Sequence, residues 1–186
     1  MHEHEKALDL ALREHAQRVP EQARLAGEFR QLLDEGGDDP FQRTRLDGHF
    51  TGSAWLVGGD GRQVLLTHHR KLDRWLQLGG HADGDRDLAA VALREATEES
   101  GLPGLRLLSP AIFDLDRHWI PERGDVPGHW HYDARYVVVA EEQAFVVSEE
   151  SLALAWRDID AIAADAQADE SLRRMAARWL QRGGRS

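Results

Sequence analysis

The stretch that most constrains this chain is REATEESGL at residues 94–102, where Glu95, Glu98 and Glu99 stand at i, i+3 and i+4. At about 100° per residue, a helix sets them within an arc of about 100°, on one face. Glu95 and Glu99 form a like-charge i,i+4 pair, which opposes an isolated helix by roughly 0.2–0.5 kcal/mol. Arg94 is the one cation close enough on the same helix to help, and by spacing it pairs best with Glu98. Ala89, Ala92 and Ala96 with Leu93 make an adjoining stripe that can press the helix closely onto a sheet. The carboxylates then lie at the rim of that contact. Hard oxygen ligands grouped at a rim suit Mg²⁺ or Mn²⁺, with water and substrate phosphates completing the shell. Taken alone, the triplet is equally well read as a solvated charged face.

The surroundings of the triplet read as an α/β chain. Residues 3–34 carry Leu8, Ala11, Leu12, Ala16 and Val19 at helical spacings, then a break at Pro20 and a second helix through Phe29, Leu32 and Leu33. EGGDDP (35–40) is a stop and linker, so residues 1–45 form a helical extension and 46–186 the main domain. FTGSAWLV, GGDG and RQVLLTHH predict a hairpin, and RWLQL a short strand running into Gly79-Gly80. A helix is expected from about Asp87 to Ser100, with Asp85 or Asp87 as N-cap and Gly101 as its stop. One strand is expected within 105–119 and a strong one over 129–140. ALAWRDIDAI suggests a short element and a helix, and DESLRRMAARWLQR a closing amphipathic helix.

Composition excludes several functions. With 33 acidic against 23 basic residues and a net charge of −10, the chain has no basic run to track a nucleic-acid backbone. It has no cysteine, so disulfides, thiolate catalysis and cysteine-based zinc sites are ruled out. No apolar run approaches membrane-spanning length. The start MHEHEKALDL is acidic and amphipathic, unlike a signal peptide, and a cytoplasmic location is expected.

Gly80, thirteen residues, and then Arg94 to Leu102 resemble the Nudix box, Gx5Ex7REUxEExGU with U aliphatic, over 23 residues. Arg94, Glu95, Glu98, Glu99, Gly101 and Leu102 match at the right spacing. The box departs once: Arg86 stands where the first Glu is expected, flanked by Asp85 and Asp87. The resemblance implies an α/β/α sandwich around a mixed β-sheet, here with an N-terminal helical extension. It implies metal-dependent hydrolysis of a pyrophosphate bond in a nucleoside diphosphate derivative. It further implies that Glu95, Glu98 and Glu99 bind Mg²⁺ or Mn²⁺, with the Gly79 carbonyl as a further ligand, and that Arg94 orients the carboxylates. Glu98 or Glu99 is the first choice for general base, and Glu141 or Glu142 the second. Two other classes stay open: a non-catalytic module of the same fold that binds a nucleotide or metabolite, and a zinc hydrolase.

That zinc alternative comes from strand 129–140, where His129, His131, Asp133 and Arg135 alternate and share a face. With His81 in the box loop, His131, Asp133, Arg135 and Glu141 are candidate substrate contacts. A stricter reading makes His129, His131 and Asp133 a zinc site. GGHADGD with the later HWHYDARY is similar to a subgroup of the Nudix family, which favours pocket lining. His68, His69, Arg70 and Lys71 could meet phosphate at a strand end. Trp55, Trp75, Trp119 and Trp130 are candidates to stack on a base, whereas His2, His4 and His15 read as polar surface. The N-terminal helices could pack on the main domain or make a homodimer contact.

Overall fold

The protein is described by a computed structural model covering residues 3–69, 74–141 and 153–183. In chain order its elements are α1 (Glu3–Arg18), a 3-10 turn (Pro20–Gln22), α2 (Ala23–Asp34), β1 (Gly48–Gly58), β2 (Gln63–His69), β3 (Arg74–Leu76), β4 (Leu78–His81), α3 (Leu88–Ser100), β5 (Arg106–Leu107), β6 (Asp114–Ile120), β7 (His129–Ala140), β8 (Leu154–Asp158), α4 (Ile159–Ala164) and α5 (Glu170–Gly183). The described strands form one mixed sheet with hydrogen-bonding order β3-β2-β1-β7-β5, with β4 on β1, β6 on β7 and β8 on β2. The chain divides into two compact units, and β1, β4, α3 and β7 contribute residues to both.

The first unit comprises residues 1–53, 79–92 and 109–136. Its helices bury the faces their spacing predicts: Leu8, Leu12 and His15 on α1, and Ala26, Phe29 and Leu32 on α2. Pro20 opens the 3-10 turn, where its missing N–H does no harm. Phe29 meets the Tyr132 ring edge-on at 5.2 Å and Phe50 at 5.9 Å, and Phe50 meets Phe41 at 5.0 Å. His15, read as polar surface, is fully buried. Its ring nitrogens lie 2.8 Å from Gln22 Oε1 and 3.1 Å from the Ile112 carbonyl. Gln22 in turn donates to Asp114 Oδ1 at 3.0 Å and to the Leu115 carbonyl at 2.8 Å. The extension therefore packs on its own chain through a buried polar relay as well as through aromatic contact.

Arg86, the departure from the box, has a structural task in this unit. Its Nε donates to Glu5 Oε1 and its Nη2 to Asp39 Oδ2, both at 3.0 Å. The guanidinium also lies 5.2 Å from the Phe41 ring centre. The cation thus ties the box loop to α1 and to the linker after α2.

The second unit comprises residues 54–78, 93–108 and 137–186. The expected hairpin is present, with Leu56 opposite Leu65 and Val57 opposite Val64. β2 pairs on with β8 from Gln63–Asp158 to Thr67–Leu154, and β5 pairs with the end of β7. Leu56, Leu65, Leu78, Ala96, Leu102 and Val138 belong to one buried cluster, so Ala96 does present its small face to the core. Trp179 on α5 donates from Nε1 to the Gly61 carbonyl at 2.8 Å.

Two boundaries differ from expectation. The strand expected within 105–119 is two, β5 and β6, separated around Pro110, which fixes φ and brings no donor to a ladder. RWLQL is likewise not one strand: it breaks at Gln77 into β3 and β4, and β4 runs on through Gly79 and Gly80 to His81. A Cβ built on Gly79 would lie 2.7 Å from Ser53 Cα, so this approach admits only glycine. Gly79→Ala should therefore displace Ser53 and destabilise the fold by about 1–3 kcal/mol, the usual range for overpacking. An unchanged urea midpoint for the variant would contradict the close packing.

Candidate functional site

Helix α3 carries the box carboxylates. Asp87 caps it, its Oδ1 accepting from the Ala89 and Ala90 amides at 3.1 Å each. Gly101 ends it in the left-handed region, φ 65°, with its amide on the Thr97 carbonyl. On this frame Glu98 is exposed, while Glu95 and Glu99 are half-buried. Arg94 Nη2 lies 3.3 Å from Glu95 Oε1, not on Glu98 as spacing alone suggested. Water already solvates Glu98, whereas half-buried Glu95 gains more from a neighbouring cation. The donor set is all carboxylate oxygen, which fits Mg²⁺ or Mn²⁺ in kind. The three carboxylates are not drawn within 4.8 Å of one another. Mg²⁺ commonly takes only one or two carboxylates and completes its shell with water and phosphate, so that spread is compatible with it. Glu141 is exposed, with Oε1 3.9 Å from Arg106 Nε. Glu142, Arg70, Lys71 and His2 lie outside the described residues.

The alternating face of β7 splits into two environments. Asp133 and Arg135, proposed as substrate contacts, are only 1% and 2% exposed. Asp133 Oδ1 accepts from Thr51 Oγ1 at 2.9 Å and Ser53 Oγ at 2.7 Å, and its Oδ2 accepts from Arg135 Nε at 2.8 Å. Arg135 also reaches Asp114 at 3.4 Å and Asp116 at 3.3 Å. Burial alone would lower the guanidinium pKa. Asp133, Asp116 and Asp114 outweigh it and raise the pKa. These side chains form a closed internal charge cluster, which corrects the reading of both as pocket lining and takes Asp133 out of any zinc site with His129 and His131.

At the other end of the same face the histidines gather, and a residue not singled out from sequence joins them. His49 of β1 has its ring centre 4.8 Å from that of His131, 4.9 Å from that of His129 and 5.2 Å from that of His81. His118 of β6 stacks edge-on to His131 at 5.4 Å. The signal for His49 was present: His49, Thr51 and Ser53 repeat polar residues at period two along β1, matching His129, His131 and Asp133 along β7. Burial pushes the imidazole pKa down from 6.5 to about 2 at His131 and about 4 at His81, and lowers it at His49 against the opposing hydrogen bond to the Arg45 carbonyl.

Other candidates are placed elsewhere. Trp55 is fully buried and no stacking platform, whereas Trp119 is 49% exposed and meets Trp130 edge-on at 5.2 Å. A cleft of about 530 Å³ in the second unit is lined by Trp75, Arg157, Asp158 and Asp169 among others, and contains neither box carboxylates nor clustered histidines. No described helix is long and apolar enough to cross a membrane.

A family model for the NUDIX domain matches residues 49–179. Similar solved structures include a NUDIX-family hydrolase from Clostridium perfringens, at 26% identity and TM-score 0.54, covering 73% of this chain and 98% of that one. The dihydroneopterin triphosphate pyrophosphohydrolase of E. coli follows at 18% identity and TM-score 0.53, covering 72% and 95%. The MutT protein of Methanosarcina mazei follows at 16% and 0.55, covering 76% and 99%. At those lower identities the likeness concerns fold alone. No curated protein matches the chain. The chain belongs to the Nudix family, and its mixed sheet with helices is the fold of that family.

Two outcomes follow from the charges. Arg135→Met leaves the carboxylates of Asp114 and Asp133 buried without their cation, and should cost about 3–5 kcal/mol in urea unfolding. A loss under about 1 kcal/mol would mean the cluster is not charged as described. For the histidines, a folded pKa below the ordinary 6.5 means that the unfolded chain takes up protons which the folded chain refuses. Their contribution is complete above pH 6.5 and falls away on acidification toward pH 4. The urea midpoint should drop between pH 7 and pH 5, with a shallower drop in His131→Asn. A midpoint that rises over that window would contradict the neutral cluster.

Proposed function

We propose that this chain hydrolyses a pyrophosphate bond in a nucleoside diphosphate derivative, using Mg²⁺ or Mn²⁺ held by Glu95, Glu98 and Glu99. The observation that carries the reading is the carboxylate triplet on one capped helix, at the spacing of the family's box, with Arg94 on Glu95. The neighbour from Clostridium perfringens, itself a hydrolase by name, supports it.

The bound cation supplies neutralisation of the pyrophosphate charge and a lowered pKa for the attacking water. Arg94 holds the Glu95 carboxylate in a fixed orientation through the Nη2–Oε1 contact. Glu98, the most exposed of the three, or Glu99 accepts the proton of the water as its oxygen attacks phosphorus and the bridging P–O bond breaks. Both products leave as phosphate esters or phosphate. This division suits a P–O–P bond, where catalysis consists mainly of positioning and charge stabilisation.

The test is phosphate release from a panel of nucleoside diphosphate derivatives, coupled to a phosphatase, with Mg²⁺, Mn²⁺ or EDTA. Turnover should require the cation. Glu98→Gln and Glu99→Gln should lower kcat, by about 10²–10⁴-fold for whichever residue is the base, with the fold intact by circular dichroism. Saturable binding of a nucleotide without turnover across the panel would overturn the hydrolase reading in favour of a binding module.

A further inference from the structure

Three imidazoles meet where β1 and β7 begin. Among the described residues, His49, His129 and His131 are the set of three metal-ligating side chains whose ligand atoms all lie within 4.8 Å of one another. None of them belongs to the carboxylate helix.

Two of the three rings already present a nitrogen for ligation. A carbonyl oxygen can only accept. His49 Nδ1 lies 3.1 Å from the Arg45 carbonyl and His129 Nδ1 lies 2.8 Å from the Pro127 carbonyl, so each neutral ring carries its hydrogen there. In both, Nε2 is left as the lone-pair nitrogen. Metal-binding histidines are held this way, with the remote nitrogen donating to a carbonyl that fixes tautomer and ring orientation. His49 is 1% exposed, and its Nε2 is buried with no hydrogen-bond partner among the described residues. Buried polar atoms are seldom left so, and a site for an ion is one of the few explanations. His131 Nε2 lies 3.2 Å from His129 Nε2 and donates to its lone pair, a hydrogen that an ion at this place would displace. Two nitrogens on a tetrahedral zinc ion, at about 2.0–2.1 Å each, stand about 3.3 Å apart.

We propose that His49, His129 and His131 form a binding site for a divalent ion of the zinc class, with three imidazole ligands and a fourth position open to water or to an oxygen of a bound molecule. Imidazole nitrogen suits Zn²⁺, Co²⁺ and Ni²⁺ and is a poor partner for Mg²⁺, so this donor set selects a different ion from the α3 carboxylates. His81, whose ring lies 5.0 Å from that of His131, borders the open side. The site does not depend on the hydrolase reading.

The test uses the full chain, stripped with a chelator and titrated with Zn²⁺ and Co²⁺ in millimolar Mg²⁺. One ion per chain should bind, Co²⁺ should give the visible bands of a tetrahedral site, and Zn²⁺ should raise Tm. Glu98→Gln should bind Zn²⁺ as the parent does. His49→Ala and His131→Ala should weaken binding by more than about 100-fold, beyond what losing an outer partner costs. If a variant fails to fold, ¹⁵N spectra of the parent decide: Zn²⁺ should shift the Nε2 signals of three histidines. Zinc that binds equally well to the histidine variants, or that leaves every ring nitrogen signal in place, would overturn the proposal.

Discussion

A guanidinium that is 2% exposed cannot stand alone, and the packing of the first unit is organised around that fact. Arg135 takes Asp133 from its own strand and Asp114 and Asp116 from β6. Each carboxylate then draws in further donors. Asp133 engages Thr51 and Ser53 of β1, and Asp114 engages Gln22 next to α2. A one-residue slip of β1 or β7 would turn these groups to the opposite face and leave charge buried without partners. The register that results sets His129 and His131 on the same face of β7 and His49 on the same face of β1, one step beyond Thr51. The histidine group is thus positioned by the charge cluster beneath it. Gly79 is part of the same construction, since its missing Cβ lets Ser53 stay on Asp133.

The two donor sets of the chain differ in kind. On α3, like charges are stacked on a helix that they weaken by themselves. A cation held there, as proposed above, would remove that penalty. On β1 and β7, burial disfavours protonation of His49 and His131, and among the described residues no donor reaches the buried Nε2 of His49. Carboxylate oxygens select hard ions that keep much of their water, whereas imidazoles select borderline ions that share it less. The carboxylates of α3 and the imidazoles of β1 and β7 therefore suit different ions.

Much of this was legible from the residues. Helical spacing placed α1, α2 and α5, and period-two patterning placed the hairpin and β7. The triplet with Gly80 and Gly101 pointed to the family. What escaped depends on distance along the chain. Arg86 looked like a defect in the box because its partners, Glu5 and Asp39, lie 81 and 47 residues away. His15 looked superficial because Ile112, which accepts from it, lies 97 residues away. Alternation correctly put His131, Asp133 and Arg135 on one face, but it does not say whether that face is wet. Here it closes into an internal ion cluster at one end and a histidine group at the other. His49 was passed over as a single histidine, and only its phase with Thr51 and Ser53 could have shown it.

If both proposals hold, hard and borderline ions sort between the carboxylates of α3 and the imidazoles of β1 and β7. Anomalous diffraction from crystals equilibrated with both Mn²⁺ and Zn²⁺, recorded at each absorption edge, tests it most directly. Manganese should appear at ligand distance from Glu95, Glu98 or Glu99 and zinc at His49, His129 and His131. Both signals on one set of residues, or zinc on the carboxylates with the histidines bare, would contradict it.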